Sequence, residues 1–172
     1  MIVFIFLAAS VSAWAQPSAI SPTISEIATA YTNYSRITEH AVFVNPELAV
    51  QCAPVSKPQI AAAEAKFGPH ANSAMLIYMN PLAADAFGTN ATFPVGSVVV
   101  KQKTIPGHDT NNGVGGMVKR PAGYDPAHGD WKYFYFESPK KIESGRIASC
   151  VQCHDSAKEK DHVFGTWRAA TK

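Results

Sequence analysis

The chain has 172 residues, with 15 Lys and Arg against 13 Asp and Glu, 47% apolar residues and three cysteines. A net charge of +2 spread over scattered basic residues makes no stripe that could neutralise a phosphate backbone, so nucleic acid is not an expected partner. The length suits one domain, large enough to bury a core without disulfide staples.

Residues 1–15, "MIVFIFLAASVSAWA", form an apolar run closed by small residues, with Ala13 and Ala15 two apart. That is the shape of a cleavable secretory signal, with the cut expected after Ala15 or Gln16. The run is short of the roughly 20 apolar residues that span a bilayer, and no later segment approaches that length. The expectation is a signal peptide over 1–16 and a single domain over 17–172, exported to the periplasm or the medium and free of the membrane after cleavage. No Lys or Arg precedes the apolar run, so an uncleaved anchor is the alternative.

After the linker "QPSAISP", the segment "TISEIATAYTNYSRIT" places Ile24, Ile27, Tyr31 and Tyr34 at three- and four-residue steps. This predicts one amphipathic helix capped near Thr23 or Ser25. A second helix is predicted over "PQIAAAEAKFG", from Pro58 in the first turn to Gly68 at the end. "SAMLIYMN", "GSVVVKQKT", "GVGGMVKRP" and "WKYFYFES" are short, rich in β-branched or aromatic residues, and separated by Pro, Gly, Asn and Asp. They read as strands.

Alternation along "GSVVVKQKT" puts Val98, Val100 and Gln102 on one face and Val99, Lys101 and Lys103 on the other. The first face is expected in the core, and the second carries two amines. In "DWKYFYFES", Trp131, Tyr133, Tyr135 and Glu137 alternate with Lys132, Phe134, Phe136 and Ser138; both faces have apolar content, which predicts a central strand. The fold class is α+β: a predominantly antiparallel sheet with a few helices, followed by a cysteine motif near the C-terminus.

That motif is "SCVQCH", with Cys150, Cys153 and His154. A zinc knuckle would need two further ligands, and His154 is too close to Cys153 to share an ion with it, although His162 could. A redox dithiol wants its CxxC at the start of a helix in a βαβ setting, which the strand pattern does not offer. A disulfide suits an exported chain but does not explain the histidine. Cys-x-x-Cys-His is the c-type haem attachment pattern: two thiols add to the porphyrin vinyl groups and the adjacent imidazole becomes the proximal iron ligand. The expectation is one covalently bound haem c, held by Cys150 and Cys153 with His154 on the iron. Cys52 is then expected to be a buried small hydrophobe.

The second axial position separates an electron carrier from a reaction centre. Met75, Met79 and Met117 could fill it, each with core packing as the plainer use, and so could His40, His70, His108, His128 or His162.

Taken in order, "FPVGSVVVKQKT", "GVGGMVKRPAGYDPAHGDWKYFYFES" and "SCVQCHDSAKEKDHVF" resemble the cytochrome P-460 family, which includes the cytochrome c'-beta proteins. The resemblance runs over roughly residues 24–167 and is strongest from Phe93 onward. Its most specific part joins a Met-Lys-Arg strand, a Gly-Tyr to Gly-Asp-Trp turn, an aromatic strand and a CxxCH followed by Asp-x-Val-Phe.

The resemblance implies a monohaem c-type protein on an antiparallel sheet, with a homodimer as the expected assembly. It also implies an open distal site where hydroxylamine or nitrogen oxides meet the iron, and a redox partner protein. In the catalytic branch a lysine is cross-linked to the porphyrin edge. Lys101 is the candidate, with Lys103 as the alternative and a solvated lysine as the plain reading. Hydroxylamine oxidation further needs a carboxylate to take protons, for which Asp125 and Asp130 are candidates that could equally be turn residues. The c'-beta branch lines its distal face with phenylalanines and binds small gases without turnover. Phe87, Phe93 and Phe134 are the candidates for that lining, and an ordinary low-spin electron carrier is the third possibility.

Overall fold

Thr23 and Glu26 start the first helix by exchanging hydrogen bonds: Glu26 N donates to Thr23 Oγ1 (3.2 Å) and Thr23 N donates to Glu26 Oε2 (2.7 Å). This capping box satisfies two backbone donors that the first turn leaves open. The computed structural model describes residues 21–43, 58, 61–62, 65, 74–89, 92–105, 108–138 and 141–165, with backbone only at 43, 105, 108–112 and 138. The predicted signal peptide, Cys52 and His70 lie outside the described residues, as does most of the helix predicted over 58–68. Pro58, Ala61, Ala62 and Ala65 of that segment have helical backbone.

The first helix, α1 (Ile24–Ala30), is shorter than its apolar periodicity predicts. Tyr31–Asn33 tighten into a 3₁₀ turn, and Ser35–Arg36 leave as strand β1. Thr32, Asn33 and Ser35 are weak helix formers, and pairing of β1 with the end of the third strand takes over. β2 (Val42–Phe43) follows, then β3 (Ala74–Met79), α2 (Pro81–Thr89), β4 (Val98–Ile105), β5 (His108–Lys119), β6 (Trp131–Ser138), β7 (Lys141–Gly145) and α3 (Ala148–His154). A 3₁₀ segment, Asp155–Lys160, continues from α3.

Seven strands among the described residues form one antiparallel sheet in the order β1-β3-β4-β5-β6-β7, with β2 also paired to β3. The predicted strands all form, and β6 has neighbours on both sides. β2, α2, β7, α3 and the first half of β5 lack a sequence prediction. α2 opens with Asn80 followed by Pro81, a cap and first-turn pair. Asn80 Oδ1 accepts from Ala83 N and from Val98 N, both at 3.0 Å, so one side chain joins β3, α2 and β4. β7 has no buried residue and therefore no alternation to read. The first half of β5 is polar, and its pairing with β4 is interrupted by register shifts.

Both faces of the sheet are core. Val98, Val100, Val114, Val118, Phe134 and Phe136 pack beneath Ile24, Ile27 and Tyr31 around α1. The opposite face holds Met75, Ile77, Met79, Met117, Trp131 and Tyr133 with Ala83 and Ala86 of α2, and Ile147, Cys150 and Val151 pack against it. The amine-bearing face is therefore covered as well: Lys103 is only 9% exposed.

β5 lies close to its neighbours. A Cβ on Gly116 would stand 2.6 Å from the Val99 carbonyl oxygen and closer still to the Phe134 ring. Gly116→Ala therefore forces backbone or ring displacement and should cost about 1–3 kcal/mol, as overpacked cores do. In a domain of this size each kcal/mol lowers the melting temperature by roughly 2–4 °C. A melt unchanged to within a degree would show that β5 has room for the methyl group.

Candidate functional site

α3 carries the Cys-x-x-Cys-His motif onto the methionine-bearing face of the sheet. Cys150 and Cys153 stand three apart on this helix, which puts them on neighbouring positions of one side. Both thiols are free; Cys150 is half-buried and Cys153 exposed. Burial pushes the Cys150 thiol above its usual range, and Lys101 partly offsets this.

His154 closes the helix. Its Nδ1 lies 2.7 Å from the carbonyl oxygen of His162. A carbonyl can only accept, so Nδ1 carries the proton and Nε2 keeps its lone pair. Burial holds the imidazole below its ordinary pKa, so the ring is neutral, as a metal ligand must be. It is wedged between Tyr133 and Phe164, with ring centroids at 5.2 and 4.9 Å.

Across from the helix, β-register aligns Ile77, Lys101, Gly115 and Tyr135 in one row of that face. Gly115 has no side chain to fill the row, and the Lys101 stem runs beside the vacant position, its Cε 3.8 Å from where a Cβ would be. Burial pushes the Lys101 ammonium down, while Cys150 and Cys153 pull it partly back up, which places the amine within electrostatic reach of both thiols. Lys103 is already occupied: its ammonium lies 4.9 Å from the Tyr135 ring centroid, and Glu137 partly offsets its burial.

The other candidates separate by position. Met75, Met79 and Met117 share the Cys150 face but sit within its core cluster. Phe93 packs edge-on against Trp131 at 5.6 Å, and Phe87 lies against the same cluster. Phe134 is on the opposite face, so it cannot line a site at Cys150. His40 is exposed beside Glu39. His162 is buried, its backbone held to the Nδ1 side of His154. His128 bridges Asp125 (3.0 Å) and Asp155 (3.6 Å). For His108 only the backbone is described.

Asp125 is buried; its Oδ1 pairs with His128, while Oδ2 makes no hydrogen bond and lies 3.6 Å from Arg146 Nε. Asp130 serves the turn, with Oδ1 accepting from the amides of Gly123 and Asp125.

This donor set fits a haem. Among the described residues, no group of three or more His, Cys, Asp and Glu is placed to hold a metal ion, so none of these residues joins the two thiols in a zinc knuckle. A lone imidazole with a fixed tautomer and a carbonyl partner is what axial ligation uses. The Tyr133 hydroxyl is a further sign: its residue is 1% exposed, yet the oxygen has no hydrogen-bond partner. Burial pushes the phenol pKa up, with smaller contributions from Cys150, Asp155, Asp125 and Cys153. A buried orphan hydroxyl beside the motif is a place for a polar atom of a bound group.

No curated protein matches the chain. The family model for Cytochrome P460 matches residues 54–165, which takes in β3 through the Asp-x-Val-Phe segment and implies a haem cofactor. Because that match covers more than half of the sequence and takes in strands β3 to β7 and the CxxCH helix laid over them, the chain belongs to the cytochrome P460 family.

Proposed function

We infer that the protein is an exported monohaem c-type cytochrome that oxidises hydroxylamine, or processes a related nitrogen oxide, at a haem cross-linked to Lys101. The observation that carries this reading is the convergence of Cys150, Cys153, His154 and the buried Lys101 amine on one face of the sheet. Bound haem supplies an iron that accepts electrons from the nitrogenous substrate and returns them to a redox partner.

The chain's residues then divide the work. Cys150 and Cys153 would attach the haem, each thiol adding across a vinyl group with the sulfur on one carbon and the proton on the other, with no net oxidation. His154 would hold the iron through Nε2, the nitrogen that its Nδ1–H bond to the His162 carbonyl leaves with a lone pair. Lys101 is poised for the edge of the ring because burial favours its neutral amine, the nucleophilic form. Replacing a ring C–H by C–N removes two electrons and two protons, so forming the link requires an oxidant such as peroxide. Asp125 takes protons at Oδ2, the oxygen without a hydrogen bond. The leader-like run at residues 1–15 supports a periplasmic or secreted location, and the family resemblance supports a homodimer.

A gas-binding cytochrome of the c'-beta kind is the second reading, favoured by Phe87 and Phe93 on the Cys150 face. The absorption spectrum of the reduced protein decides between the two. A Soret band far to the red, together with hydroxylamine-dependent reduction of an electron acceptor, is the expected result. A five-coordinate high-spin spectrum without turnover would establish the gas binder instead. A sharp low-spin spectrum would point to a methionine or histidine sixth ligand and an electron carrier.

A further inference from the structure

The Asp-x-Val-Phe segment supplies the carbonyl that His154 uses. Asp161 and His162 are consecutive non-glycine residues with left-handed backbone, φ 52° and 61°. Two such residues in a row persist only where the surroundings fix them. Here Asp161 is gripped on every side. Lys119 Nζ donates to its carboxylate at 2.6 and 2.8 Å, Phe93 N donates to Oδ2 at 2.9 Å, and Trp131 Nε1 donates to its carbonyl at 2.8 Å. The turn's own amides reach back to Lys158 and Ala157. Lys119 also lies over the Trp131 ring, 4.9 Å from its centroid, and both partners of the ion pair are largely shielded from solvent. One residue later the His162 carbonyl meets His154 Nδ1 at 2.7 Å.

We propose that Lys119 and Asp161 are positioning residues: by locking the Asp161–His162 turn they hold the His162 carbonyl against His154, and so set the reduction potential of the iron that His154 ligates. A short Nδ1–H···O bond gives the imidazole more anionic character and makes it a stronger donor to ferric iron. The bracket therefore keeps the potential low, and loosening it raises the potential. The proposal rests on the assignment of His154 as the iron ligand.

Removing only one partner would strand a buried charge and risk unfolding. The test is therefore the haem-loaded double variant Lys119→Met with Asp161→Asn, which keeps approximate shape while removing both charges. At a fixed potential its ferrous-to-ferric ratio should rise about tenfold, a positive shift of about 59 mV for one electron. Resonance Raman of the ferrous protein should show the iron–imidazole stretch at lower frequency than in the native protein. Trp131→Phe, which removes the indole donor to the Asp161 carbonyl and shortens the ring beneath Lys119, should shift both readings in the same direction by less, and it carries the test should the double variant not fold. Gly116→Ala, whose methyl would meet Phe134 on the α1 face of the sheet, should lower the melting temperature and leave the potential alone. A folded double variant, or in its stead Trp131→Phe, with native potential and native stretch would overturn the proposal. Absence of an iron–imidazole stretch in the native protein would instead remove the His154 assignment beneath it.

Discussion

Replacing Cys150 and Cys153 together by alanine should leave a chain that carries no haem through denaturing electrophoresis. The native chain should stain for haem peroxidase activity after heating in detergent, because thioether bonds survive conditions that release any coordinated haem. Each single replacement leaves one thiol able to react, so a weaker stain is expected from either variant. Both sulfurs are free and stand on neighbouring positions of α3, which is why neither is expected to substitute fully for the other. The loss should be complete in the double variant, since Cys52 is the one other cysteine of the chain and lies outside the motif. Peroxidase stain persisting there would show that haem is anchored elsewhere and would remove the covalent assignment.

Lys101→Leu should have the second large effect, and one that separates chemistry from attachment. Leucine keeps much of the apolar stem that runs beside Gly115 and removes the amine. The variant should still carry haem on Cys150 and Cys153. Its reduced spectrum should revert to that of a simple c-type haem, and hydroxylamine-dependent electron transfer should fall to the detection limit. Lys103→Leu should leave spectrum and turnover nearly native, because the Lys103 ammonium is already engaged with the Tyr135 ring and offset by Glu137. If the two lysines exchange these outcomes, the cross-link belongs to Lys103. If neither variant changes spectrum or turnover, the protein binds small gases and does not oxidise hydroxylamine.

The accuracy of the reading tracks how local each signal is. The strands from "SAMLIYMN" to "WKYFYFES" announce themselves through alternation between two apolar faces, and all of them form. The helix start was legible to within two residues, at Thr23 or Ser25, and the reciprocal bonds of Thr23 and Glu26 settle it on Thr23. The helix beyond it was overextended, since periodicity in "AYTNY" competes with strand pairing to β3, which no local window contains. β7 escaped notice because an edge strand without buried residues has no pattern to display.

At the site the same division holds. Cys150, Cys153 and His154 fall within five consecutive positions, and their spacing with the exported context points to the group they would hold. Sequence also restricts the lysine to two positions on one strand face. What alternation could not decide is that α2 and α3 cover that face, turning a presumed amine-bearing surface into a buried one. Nor could it show that Lys101 faces a glycine while Lys103 faces a tyrosine ring, because those neighbours come from β5 and β6 by register. The grip of Lys119 on Asp161 joins residues 42 apart in the chain. The sequence by itself determined the four alternating strands and the residues that would attach a haem, which depend on neighbours along the chain. Only the tertiary structure decided which amine is buried beside the thiols and which carbonyl holds the imidazole, because burial and hydrogen-bond geometry depend on neighbours in space.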